Sequence, residues 1–215
     1  MSEHRIIVFE PDTHAYAVDG NVRRSVTQVL EDAGISDWSG APPEILGPAQ
    51  ERGRAVHACC HFINKRNLDP DTVDERIGGY VEAYKSFRRD HNFRPRLSEH
   101  IVYRRIAITG ADVVRPRESD LHIVGTLDAE GSIAKWGDLV VDIKTGDETD
   151  AWRVQLAAYV RSLDRRAPFT HKRLVVKLDR SGSYRLFWYS MADFGRDFAR
   201  FRLALIDGKR RELAA

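Results

Sequence analysis

The sequence predicts an α/β fold, a three-layer α/β/α sandwich with a mixed central sheet. Three observations point to it. Strand-like segments at 97–105, 121–129 and 138–144 follow one another, and a helical segment at 150–163 separates them from two more at 173–178 and 184–189. Two long amphipathic segments, 49–65 and 71–90, come before them. The 215 residues are 42% hydrophobic and 31% charged, enough apolar surface for one sizeable core. Strands interleaved with helices bury both faces of a sheet under helices.

The elements follow in chain order. Residues 5–10 are apolar and β-branched, Asp12 and Asp19-Gly20 are turn formers, and 14–18 alternates, so the chain opens as strand, turn, strand. Ser25 caps a short helix over 26–32 that Gly34 ends. The Gly and Pro content of 36–48 reads as a loop. The 49–65 helix puts Val56, Cys60 and Ile63 on one face. The 71–90 helix carries a stripe of Ile77, Tyr80, Val81, Tyr84 and Phe87, with Gly78-Gly79 as a local weakness. The period then drops to two through the three strands. Asp150 caps the helix that runs to about Leu163, 192–205 closes the fold as an amphipathic helix, and the charged 208–215 reads as a frayed tail. One domain spans 1–215, with the N-terminal hairpin and helices over 1–95, a core over about 97–190, and the closing helix and tail over 191–215.

Composition excludes some classes. No stretch has the apolar length of a bilayer span, and the N-terminus does not read as a secretory leader, so no membrane partner is expected. Cys59 and Cys60 are adjacent, match no zinc spacing and cannot staple distant segments, which fits a reducing, cytoplasmic compartment. The net charge of +2 neither demands nor excludes nucleic acid.

The chemistry sits in Leu139-Val140-Val141-Asp142-Ile143-Lys144. In a strand, Leu139, Val141 and Ile143 face one way, and Val140, Asp142 and Lys144 the other. An acid and an amine on a strand that is otherwise apolar cost stability unless they pair or bind something. A hairpin with the preceding strand, which ends Gly125-Thr126-Leu127-Asp128, brings Asp128 to Asp142. Two converging carboxylates repel, and a hard divalent cation relieves that repulsion. The Asp-x-Lys spacing alone fits equally an ion pair on an exposed edge strand.

The surrounding motifs narrow the choice. Gly125-Thr126-Leu127-Asp128, Val140-Val141-Asp142-Ile143-Lys144-Thr145-Gly146 and Gln155-Leu156-Ala157-Ala158-Tyr159 come in that order, after Arg52-Gly53-Arg54-Ala55-Val56-His57. With the opening His14-x-Tyr16, Gly20 and Ser25-Val26-Thr27-x-x-Leu30, this pattern resembles the PD-(D/E)XK nuclease superfamily in its RecB-type exonuclease branch, and is similar to small phage and prophage nucleases of that group. The resemblance covers the chain from about Phe9 to Tyr189 and implies a restriction-endonuclease-like core. It implies that Asp128 and Asp142 bind Mg²⁺ or Mn²⁺ with the Ile143 carbonyl as a further ligand, and that Lys144 serves the attacking water. His57 approaches the metal from its helix, Glu99 takes the place of an acid on the first core strand, and Gln155 and Tyr159 support the site or contact the strand. The first acid stands in Gly-x-x-Asp rather than Pro-Asp, and two cysteines are too few for an iron–sulfur cluster.

Other local signals have two readings each. His57 and His61 stand four apart as zinc pairs do, but Ala58 replaces the glutamate of that motif. Trp38, Trp152 and Trp188 are candidates to stack on unpaired bases or to pack in the core, Trp152 lying nearest the site. Arg52 and Arg54 either flank a phosphate path or solubilise a helix, and Thr145 either bonds a phosphate or caps. The expected function is a metal-dependent DNA exonuclease of phage or prophage recombination, replication or repair, with DNA and a recombination or replication protein as partners. The alternatives are a structure-specific endonuclease and a non-catalytic DNA-binding module of the same fold. Oligomeric state is left open.

Overall fold

The structure is a computed structural model of the 215-residue chain; it describes residues 5–10, 13, 15–36, 42–107, 120–164 and 166–214. The strands β1 (Ile7–Glu10), β2 (Ala15–Val18) and β3 (Asn21–Arg23) form a small antiparallel sheet. The main sheet has the order β4 (Arg94–Ala107), β5 (Asp120–Ile133), β6 (Gly137–Lys144), β7 (Lys172–Leu178), β8 (Tyr184–Tyr189). Its pairs are antiparallel except β6–β7, which is parallel. A parallel pair needs a crossover; α4 (Ala151–Leu163) and the short α5 (Ala167–Thr170) lie in it. The remaining helices are α1 (Val26–Asp32), α2 (Pro43–Lys65), α3 (Glu75–His91) and α6 (Phe194–Ala214).

Alternation along β6 places a core on each side of the sheet. Leu139, Val141 and Ile143 pack with Val56 and Cys60 of α2 and with Tyr84 and Phe87 of α3. Val140 packs on the other side with Val26 of α1, Leu156 and Tyr159 of α4, and Phe201 of α6. Helices thus cover both faces, giving the α/β sandwich that the strand and helix order predicts. The small sheet adds a third cluster, Tyr16 and Val18 against Val124. Among the described residues, no helix is long and apolar enough to cross a membrane.

Local chemistry explains several boundaries. Ser25 closes a capping box with Gln28: its Oγ accepts from the Gln28 amide at 3.1 Å, and its own amide donates to Gln28 Oε1 at 2.9 Å. Asp74 caps α3 by accepting the Arg76 amide at 2.8 Å, and Asn92 ends that helix in left-handed backbone. Gly79, read from sequence as a weak point, has a packing role. A Cβ there would come 1.8 Å from the Arg180 carbonyl oxygen, so only glycine lets α3 rest on the turn between β7 and β8.

Several expectations need correction. The loop expected over 36–48 is helical from Pro43: prolines sit at the start, where no amide bond is needed, and Glu44 complements the helix dipole. The helix expected from 71 starts at Glu75, preceded by a 3₁₀ turn over Pro70–Thr72 that Asp69 caps. Asp150 precedes α4 but makes no capping bond; its carboxylate pairs with Arg200 instead. The expected frayed tail is the last part of α6, where Ile206 and Gly208 are buried and the helix leans on α1. Sequence reading gave no β3 and no α5. His14 and Trp38 lie outside the described residues.

Candidate metal centre

The site forms where the regular pairing of β4 and β5 breaks. A bulge at Arg96 shifts their register between Pro95 and Leu97. Beyond it Ser98 pairs with Ala129 and His100 with Leu127, which sets Glu99 opposite Asp128. Glu99 adopts φ 47°, the left-handed region, inside a β-strand. A non-glycine residue is held there at a cost of about 1–3 kcal/mol. The irregularity shows in β5 too. Leu127 and Ala129 would share a face in an unbroken strand, yet they pack in opposite cores. Asp128 lies between them, so groups from both sides of the sheet can reach it.

From one side comes His57 of α2, whose Nδ1 is 3.0 Å from Asp128 Oδ1. His57, Glu99 and Asp128 each offer a ligand atom, and the three atoms lie within 4.8 Å of one another. The other Asp128 oxygen, Oδ2, accepts the Ile143 amide at 2.6 Å. The contact seen for Ile143 is therefore through its N–H.

On the other side stands the β6 pair. Register Ala129↔Val141 brings Asp128 beside Asp142 one step further along the hairpin. Asp142 is 2% exposed on a strand in the middle of the sheet, which rules out the exposed edge-strand reading of Asp142 and Lys144. Lys144 Nζ lies 2.9 Å from Asp142 Oδ2, an ion pair without hydrogen-bond geometry, so that buried oxygen has no donor. Lys144 donates to Gln155 Oε1 at 3.0 Å, and Gln155 Nε2 reaches the Tyr159 hydroxyl at 3.4 Å. Gln155 and Tyr159, four apart on α4, thus brace the lysine from one helix face. Gly125 explains the tight seat of Tyr159, because a Cβ there would lie 3.1 Å from the ring. Tyr16 joins from β2, its hydroxyl 2.8 Å from Thr126 Oγ1.

Charge is crowded. Burial pushes Asp142 up to about 6; Lys144 opposes this and Asp128 adds to it. Desolvation beside the site, then repulsion by Asp128, raises Glu99 to about 7, although the residue as a whole is exposed. Burial would raise Asp128 also, but His57, Lys144 and the Ile143 amide hold it below the ordinary carboxylate value. Burial would lower His57, but the charge and hydrogen bond of Asp128 hold it at about 9. Three acids share one small volume, and one buried carboxylate oxygen lacks a donor. That donor set, carboxylates with one imidazole, fits a hard divalent cation such as Mg²⁺ or Mn²⁺.

Other named residues fall elsewhere. Trp152 is 4% exposed and edge-on to Phe187 at 5.4 Å, so it is a core residue with no face for a base. Trp188 keeps 41% exposure but sits against Trp136 at 4.5 Å, across the sheet from α4. Arg52 lies over the Tyr80 ring at 5.8 Å, turned toward α3. Arg54 is exposed, three residues before His57 and so on its side of the helix. Thr145 is half-buried just past Lys144. His61 does not pair with His57 on a metal; its Nδ1 is 3.1 Å from Ser98 Oγ. Cys60 is buried in the core and Cys59 is half-buried; both thiols are free.

Sequence reading missed Ser98 and Asn64. Asn64 Nδ2 donates to Ser98 Oγ at 3.0 Å, and Tyr84 donates to Asn64 Oδ1 at 2.9 Å. The signal was present: His57, His61 and Asn64 form a polar stripe at i, i+4 and i+7. No protein-family model and no curated protein matches this chain. A solved structure described as "Crystal structure of SSO0001" is similar over 58% of this chain and 55% of that one, at 16% identity and a TM-score of 0.33. The chain thus spans about half the length of that structure, and likeness at this level does not bear on the site.

Proposed function

We propose that this protein is a metal-dependent deoxyribonuclease of the PD-(D/E)XK kind, acting on DNA ends. The observation that carries the reading is the convergence of His57, Glu99 and Asp128 within 4.8 Å, beside a buried Asp142 paired with a braced Lys144. Packing alone requires none of these charges, and their burial is costly. The motif order described from sequence supports the same reading.

His57, Glu99, Asp128 and Asp142 would hold Mg²⁺ or Mn²⁺. The chemistry such a cation supplies when bound is Lewis-acid activation of water and neutralisation of phosphate charge. The reaction forms a bond from water oxygen to phosphorus and breaks the P–O3′ bond. Lys144, which donates to Gln155 and is held in an ion pair by Asp142, would orient the attacking water or steady charge on the phosphate. Asp142 keeps that ammonium in place, and Tyr159 keeps Gln155 in place. The setting we infer is recombination, replication or repair of phage or prophage DNA.

The test is digestion of linear and closed-circular single-stranded DNA with Mg²⁺, Mn²⁺ or EDTA. Loss of linear DNA only, and only with a cation, is the expected result. Cutting of the closed circle would replace exonuclease with endonuclease action. Binding of DNA without cleavage under either cation would make the chain a DNA-binding module instead.

A further inference from the structure

The left-handed backbone of Glu99 has to be held by something outside the strand, and the structure shows what grips its neighbour. Ser98 Oγ is engaged by two side chains of α2, Asn64 Nδ2 at 3.0 Å and His61 Nδ1 at 3.1 Å. Asn64 is in turn fixed by the hydroxyl of Tyr84, a fully buried residue of α3. The four groups form one chain of hydrogen bonds. The Tyr84 hydroxyl donates to Asn64 Oδ1, the Asn64 amide donates to Ser98 Oγ, and Ser98 Oγ shares a further hydrogen bond with His61 Nδ1, whose tautomer sets the donor. The same helix face that makes these bonds carries His57 to Asp128. Two points of attachment, one to β4 and one to β5, therefore set how α2 sits over the bulge.

We propose that the Tyr84–Asn64–Ser98–His61 chain is a positioning device for the metal centre: it pins β4 beside the bulge so that the Glu99 carboxylate stays within reach of His57 and Asp128. His61 is not part of the His57, Glu99 and Asp128 trio; the four residues act through Ser98 on its neighbour. Releasing Ser98 lets Glu99 relax toward extended backbone, and in an extended strand opposite Asp128 its side chain changes direction. Supporting bonds around a metal ligand are worth about 10- to 100-fold in affinity or activity when removed.

This inference rests on the nuclease reading, and its test reads the cation directly. Mn²⁺ binding is measured by calorimetry and by the loss of the free-ion electron paramagnetic resonance signal, on wild type, Ser98→Ala, Ser98→Thr, Asn64→Ala and Glu99→Gln, with thermal melting of each. Wild type should bind Mn²⁺ and Glu99→Gln should bind it more weakly. Ser98→Ala and Asn64→Ala should then lose about tenfold or more in affinity. Ser98→Thr, which keeps the hydroxyl, should recover it; the Ser98 and Glu99 variants should melt close to wild type in the absence of cation, and Asn64→Ala, which strands the buried Tyr84 hydroxyl, should melt lower. Unchanged Mn²⁺ affinity in Ser98→Ala, with Glu99→Gln weakened, overturns the positioning role and leaves the nuclease reading standing. Weakening in Ser98→Ala that Ser98→Thr does not rescue also overturns it. No Mn²⁺ binding by wild type removes the metal centre, and this inference with it.

Discussion

Gly125 shows how one missing atom shapes the site. The ring of Tyr159 comes within 3.1 Å of where a Cβ at 125 would stand, tighter than ordinary contact, and it has little freedom to move, being 4% exposed and bonded toward Gln155. Gly125→Ala should therefore overpack rather than gain strand propensity, losing about 1–3 kcal/mol of stability. Because Tyr159 braces Gln155 and Gln155 holds Lys144, catalytic turnover should fall as well. Thermal melting and single-turnover rates check both; an alanine variant as stable and active as wild type would show that the ring yields without consequence. At this scale much was legible. Asp128, Asp142, Lys144, Gln155 and Tyr159 stand at motif positions, and strand alternation puts the β6 pair on one face. Ser98 and Asn64 were not, because 34 residues separate them and only the folded register brings them together. Trp152 kept two readings, base stacking or core packing, because an aromatic on a site helix reads the same whether it faces the cleft or the core; the structure places it in the core.

Among elements, the β5–β6 hairpin is secured at its far end by a second charge cluster. Glu130 of β5 is buried, pairs with Arg96 at the bulge, and lies 3.2 Å from His171 Nε2. Arg96 also reaches Asp138 of β6 at 2.8 Å. Burial would raise the Glu130 carboxyl, but its bonds to His171 and Arg96 outweigh that and hold it below its ordinary 4.5. A depressed folded-state value means the charged form stabilises the fold. That contribution is complete above about 4.5, the unfolded value, and is lost as pH falls through the lower folded value. Glu130→Gln should thus melt below wild type at pH 7, and the gap should close below pH 4.5. A gap that stays constant from neutral to acid pH would mean the effect is packing, not charge. Elements were legible from sequence where caps and alternation were strong, as at Ser25 and along β6. They were misread at the start of α2, where proline opens the helix and Pro48 lies inside it, and at the end of α6, where packing on α1 holds helix through a charged, glycine-containing tail.

For the molecule as a whole, the sheet carries the candidate metal centre where the β4–β5 register breaks, between α2 on one side and α4 on the other. DNA would approach along α2, where Arg54 stands exposed near His57. Among the described residues, no ion pair or hydrogen bond engages its guanidinium. Arg54→Ala should raise KM with kcat unchanged, and should flatten the plot of log affinity against log salt by about one. Unchanged KM and salt slope would make Arg54 a solubilising residue only.

We propose that Asp128, Asp142 and Lys144, with their neighbours, form a hydrolytic metal site. Its most direct test is digestion of linear DNA by wild type, Asp142→Ala and Lys144→Ala, each with Mg²⁺, Mn²⁺ or EDTA, alongside melting curves for all three. Wild type should degrade DNA only with a cation, and both variants should be folded and inactive. Cleavage by wild type in EDTA, or full activity in either folded variant, would contradict the assignment.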